Sequence, residues 1–96
     1  MTEQDQGQRW IAEQFAAALG LTPENLDWEK HNLGALLQVP VGSEEFHYVK
    51  FNDEQIAGAA GSDMQKHLSA WIVDHVKQAK RSPSPRKEPY ECKLKI

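Results

Sequence analysis

The sequence predicts a small α+β domain in which two amphipathic helices pack on a small, mostly antiparallel sheet, in the approximate order α-β-β-α-α-β. Three observations carry this. Apolar residues recur at spacings of three and four over residues 8–19 and again over 62–81, the period of a helix with one buried face. Between those segments apolar and polar residues alternate over 35–41 and 46–51, the period of a strand. The chain then ends on Tyr90-Glu91-Cys92-Lys93-Leu94-Lys95-Ile96, which alternates without a fault.

In the first helix Trp10, Ile11, Phe15, Ala18 and Leu19 form the apolar stripe. Gly20 suits the left-handed position that closes a helix, with Leu21 folding back on the last turn. Asp5 is the expected N-cap, because Gly7 disfavours helix much before Gln8. Thr22-Pro23-Glu24 starts a helix or helical turn, with proline at the first helical position. Beyond it, Leu26, Leu33 and Leu37 would continue a helical face, whereas Leu26 and Trp28 alternate as in a strand. Residues 22–34 stay open between the two.

Ala35, Leu37, Val39 and Val41 share one face of the first expected strand, and Pro40 marks an edge or a strand end. Gly42-Ser43-Glu44 is a turn. The strand over 46–51 pairs back as an antiparallel hairpin with a loop of three to five residues. Phe46 and Tyr48 point one way, and His47, Val49 and Phe51 the other, so both sheet faces are expected to be partly covered. Asn52 caps a short helix ended by Gly58-Ala59-Ala60-Gly61. Ser62 and Gln65 have capping-box spacing at the second long helix. Met64, Leu68, Trp71, Ile72, Val76 and Ala79 are its buried stripe, and Lys77, Lys80 and Arg81 complement its dipole at the end. Ser82-Pro83-Ser84-Pro85 cannot continue a helix and reads as a stiff linker. The domain is expected to be single, over residues 1–96. Its core runs from about 8 to 80, the linker spans 81–89, and a strand over 90–96 completes the chain's own sheet in preference to a partner's edge.

An apolar fraction of 40% and a charged fraction of 26% are those of a folded globular chain. One cysteine, Cys92, excludes an intrachain disulfide, so the core or an oligomer interface must supply the stability. No apolar run approaches the roughly 20 residues of a membrane span. The first eight residues lack the apolar stretch of a secretory leader, and a cytoplasmic location is expected. The net charge of −3 is unevenly distributed. Residues 1–76 carry four Lys and Arg against twelve Asp and Glu, a balance of −8, whereas residues 77–96 carry seven against two, a balance of +5.

Signatures of chemistry are weak. Histidines 31, 47, 67 and 75 offer no close pair of the kind zinc sites use, and Asp63 with His67 supplies only two ligands. The alternation places Cys92 inward as a small hydrophobe. Glu44-Glu45 and Asp53-Glu54 are acidic pairs in loops, a placement that argues for solvation. No catalytic residue, metal ligand or cofactor-binding residue is therefore assigned, and no cofactor is expected.

The 58–61 loop is similar to the Gly-x-x-Gly turn of K-homology nucleic-acid-binding domains, and the element order is similar to one form of that family. The resemblance implies backbone contact with nucleic acid at Gly58 and Gly61. Ala59 and Ala60 stand where that family supplies a basic residue, and Asp63 opposes a phosphate, so a tight turn between packed helices is the preferred reading. Phe46 and Tyr48 beside Lys50 could stack bases on an open sheet, but core packing against Trp10 and Trp71 is the preferred reading of these aromatics too.

The leading functional expectation is a non-enzymatic protein-interaction or regulatory module that binds another protein or itself as a homodimer, away from membranes. The alternative is a weak nucleic-acid binder using Lys77, Lys80, Arg81, Arg86 and Lys87 with Gly58 and Gly61. A third reading is an enzyme without a recognisable motif.

Overall fold

The fold was analysed in a computed structural model, which describes residues 3–31, 34–40, 46–81 and 90–91. Along the chain lie helix α1 (Glu3–Leu19), a 3-10 turn (Pro23–Asn25), strands β1 (Asp27–His31), β2 (Gly34–Pro40) and β3 (Phe46–Asn52), helices α2 (Asp53–Gly58) and α3 (Ser62–Arg81), and the short strand β4 (Tyr90–Glu91). The α+β class holds, and the expected order gains one strand, β1, from the segment that the sequence left open.

Helix α1 starts earlier than expected, at Glu3, so Asp5 lies inside the helix and is not its cap. Gly7 is the reason. A Cβ built there would lie 1.7 Å from the carbonyl oxygen of Ile56. The missing side chain lets α1 rest on the backbone of α2, and that packing offsets the roughly 1 kcal/mol that glycine costs inside a helix. At the other end Gly20 takes φ +74°, and Leu21 N–H donates to the Ala16 carbonyl at 2.8 Å. This is the expected left-handed closure.

Thr22 and Pro23 open only the short 3-10 turn, in which Asn25 Oδ1 accepts from both the Thr22 N–H (3.1 Å) and the Thr22 hydroxyl (2.9 Å). The chain then becomes β1. Its sequence is charged and a poor strand former in isolation; pairing with β2 and the burial of Leu26 and Trp28 decide its conformation.

The sheet order is β1-β2-β3-β4. The first three strands are antiparallel, with Trp28, Leu37 and Val49 in one row and Lys30, Ala35 and Phe51 in the next. β4 joins β3 in parallel, Tyr90 beside Val49 and Glu91 beside Lys50. The chain thus returns to its own sheet at residues 90–91. Residues 92–96, with Cys92, and the linker residues 82–89 lie outside the described residues, as do Val41 and the 42–44 turn.

Asn52 caps α2 in a reciprocal box with Gln55. Its Oδ1 accepts from Gln55 N–H at 2.7 Å, and Gln55 Oε1 accepts from Asn52 N–H at 3.0 Å. Ser62 is already helical, and Gln65 turns its amide to the Ala59 carbonyl (2.9 Å), bracing the turn before α3 rather than boxing Ser62. Ile11 and Phe15 of α1, Ile56 of α2, and Leu68 and Ile72 of α3 close over Leu37, Val39, Val49 and Phe51. Phe51 is the hub, with ring centroids 6.3 Å from Phe15, 6.0 Å from Trp28 and 6.1 Å from Trp71.

Candidate functional site

The helices cover one face of the sheet. Strand alternation sends Leu37, Val39, Val49 and Phe51 into that layer and puts their neighbours on the opposite face, where every described side chain keeps some solvent exposure. Register arranges the open face in rows: Pro40 beside Phe46; Asp27, Gln38 and Tyr48; and Glu29, Leu36, Lys50 and, on β4, Glu91. Phe46 is 43% exposed, and Leu36, Gln38, Tyr48 and Lys50 are half-buried. This corrects the expectation that Phe46 and Tyr48 pack against the helices. The residues that meet the helices are the alternate set, which includes His47.

Under the helices lies a feature that the sequence did not reveal. His47 of β3 and His75 of α3 approach with their Nε2 atoms 2.9 Å apart, one donating and the other accepting. The donor is therefore protonated at Nε2 and the acceptor at Nδ1. His47 is only 2% exposed. The indole of Trp71 stacks on His75 (5.0 Å, 7° between planes), and the rings of Phe15 and His47 meet His75 edge-on. Burial pushes the His47 pKa down from 6.5 to about 4, with repulsion from His75 adding to it. Burial also lowers His75, which the Asp74 carboxylate partly opposes.

The two rings sit 28 residues apart in the chain, so no local spacing could pair them. The available signal was indirect. His47 shares a strand face with Val49 and Phe51, and His75 falls four residues after Trp71, one helical turn on from a member of the expected stripe. Chemically the pair is a satisfied polar contact within the core. Its Nε2 atoms face each other, and no group of three or more His, Cys, Asp or Glu able to hold a metal ion exists among the described residues. Zinc requires three or four protein ligands.

The other sequence candidates do not converge on one site. Gly58 ends α2, where a Cβ would press on the Met64 side chain at 3.3 Å, and Gly61 precedes α3. Neither glycine takes a positive φ, and a Cβ at Gly61 would meet only the Gly58 carbonyl oxygen at 3.5 Å, an ordinary contact. Beside the turn an open cleft of about 270 Å³ is lined by residues including Arg9, Trp10, Glu13, Ala59 and Gln65. Arg9 there is paired with Glu13 at 3.1 Å. Lys77 is exposed on α3, and Lys80 and Arg81 belong to its last turn. Arg86 and Lys87, like Glu44 and Glu45, lie outside the described residues. Asp53 and Glu54 occupy the first turn of α2, where negative charge favours the helix. Asp63 and His67 are exposed. No described helix is long and apolar enough to cross a membrane. Comparison with known proteins supplies no relative: no family model, no curated protein and no solved structure matches the chain.

Proposed function

We propose that this chain is a small protein-interaction module whose contact surface is the open face of its sheet. One observation carries the reading: a sheet with one face packed under helices leaves Leu36, Phe46 and Tyr48 on the other, among charged neighbours. Apolar and aromatic side chains ringed by polar ones have the composition of protein-binding patches. The same face serves nucleic acid poorly, because Asp27 and Glu29 stand on it and repel phosphate. The contact between buried His47 and half-buried His75, packed against Phe15 and Trp71, fits a structural role.

Site-specific photocrosslinking tests the reading. A photoreactive phenylalanine analogue at Gln38, in the middle of the open face, should form protein adducts in cells that express the full chain. The same probe at Lys66, exposed on α3, should form few. Leu36→Arg should abolish the adducts at position 38. Equal labelling from both positions, or adducts indifferent to Leu36→Arg, would refute an interface on this face.

A further inference from the structure

The charges of the open face are arranged so that a second copy of the chain fits them. Along the row Glu29–Leu36–Lys50–Glu91, β1 contributes an acid, β2 an apolar centre, β3 a base and β4 a second acid beyond it, at one level across the sheet. The adjoining row runs Asp27–Gln38–Tyr48, again with the acid on β1 and a hydrogen-bonding group on β3.

Two identical sheets stacked face to face are related by a two-fold axis in the plane between them, and the charges decide its direction. An axis across the strands would lay β1 on β1 and bring Asp27 and Glu29 of both copies together, which like-charge repulsion opposes. An axis close to β2 lays β1 on the partner's β3. Glu29 then faces the partner's Lys50, the partner's Glu29 faces Lys50, and Asp27 meets the phenol of the partner's Tyr48. Leu36 meets its own copy on the axis, giving an apolar centre flanked by two identical ion pairs. A self-complementary patch of this kind is what an isologous dimer requires.

We infer that the chain associates with a second copy of itself through this face, β2 lying near the two-fold axis and Glu29 pairing with the partner's Lys50. The inference rests on the interaction-module reading and names the partner. Three strands spaced about 4.8 Å apart, β2 and β3 of seven residues and β1 of five, offer at most about 14 Å by 24 Å per copy. That is well below the roughly 800 Å² per partner of a stable interface, so the pairing is weak and reversible.

Sedimentation equilibrium of the full chain across a concentration series tests this, with thermal melts confirming that each variant is folded. Wild type should show a monomer–dimer equilibrium that weakens as salt rises. Glu29→Lys and Lys50→Glu should each weaken self-association at least tenfold, because each sets two like-charged pairs across the axis. Mixed in equal amounts, the same two variants should form a heterodimer, since every cross-axis pair is then of opposite sign. Leu36→Arg should leave the chain monomeric.

Wild type that stays monomeric at millimolar concentration overturns the inference. So does a dimer indifferent to both charge variants, or one not regained on mixing them. If the probe at Gln38 labels a different protein and never a second copy, this inference fails while the interaction-module reading stands. Salt-sensitive binding of labelled RNA to the face, lost in Lys50→Glu, with the chain itself monomeric, would overturn both.

Discussion

Acidification should weaken the fold through the buried histidine pair, by an amount that the geometry sets. His47 in the unfolded chain titrates near 6.5 and in the folded chain near 4. Between those values the unfolded state holds a proton that the folded state excludes. Stability therefore falls as pH drops through this window and is regained as pH rises. At pH 5 the unfolded chain is almost fully protonated at this site and the folded chain barely, a loss of about 2 kcal/mol relative to pH 7. By pH 4 the loss reaches about 3 kcal/mol. His75, also lowered by burial, acts in the same direction. For a domain of this size, with roughly 5–14 kcal/mol in total, the fraction is large. The assay is urea unfolding at pH 7, 6 and 5, followed by tryptophan fluorescence, for wild type and for the His47→Phe/His75→Leu double variant. The double variant lacks both titrating groups, and the carboxylates common to both proteins cancel in the comparison. Wild type should lose at least about 2 kcal/mol more than the variant between pH 7 and pH 5. A difference below about 0.5 kcal/mol would refute the argument that burial excludes the proton.

Three further outcomes test the packing. Gly7→Ala should destabilise by about 2 kcal/mol or more in urea titration, against the usual helix preference for alanine, because its Cβ would collide with the Ile56 carbonyl. Phe51→Ala should cost about 3–5 kcal/mol, enough to leave the domain partly unfolded at 37 °C by circular dichroism, since this fully buried ring joins Phe15, Trp28 and Trp71. Asn52→Ala should cost about 1 kcal/mol in thermal or urea melts by removing the acceptor from Gln55 N–H at the start of α2.

Much of this architecture was legible because it obeys local rules. Ile11 and Phe15 of the α1 stripe, Met64, Leu68, Ile72 and Val76 of the α3 stripe, the alternation of β2 and β3, the left-handed Gly20 and the Asn52 cap all depend on residues a few positions apart and stand where local patterning placed them. Trp10, Ala18, Leu19 and Trp71, by contrast, are only partly buried, and Ala12 and Ala16 are buried in addition. The misses share one cause. Gly7 lowers helix propensity, and only the passage of the α2 backbone beside it explains a helix beginning at Glu3. β1 is rich in charge, and only hydrogen bonding to β2 makes it a strand. Gln65 has the spacing of a capping box, yet the turn from α2 brings the Ala59 carbonyl within its reach.

Surface and core divide in the same way. Sequence alternation established that Phe46 and Tyr48 lie opposite His47, Val49 and Phe51, because a strand must send neighbours to opposite sides. Which side meets the helices is a property of the packed layers, and it left the aromatic pair open and took a histidine inside. Periodicity did not place His75 on the buried stripe of α3; it stands beside that stripe, between Ile72 and Val76, and is half-buried. Its bond to His47 exists because α3 crosses the sheet at that point, joining residues 28 apart. The chain's local chemistry thus determined most of the elements and their apolar faces, which depend on neighbouring residues, while β1 and the start of α1 were decided by packing. The histidine contact and the charge rows of the open face came from tertiary structure, because pairing and register bring distant residues to one level.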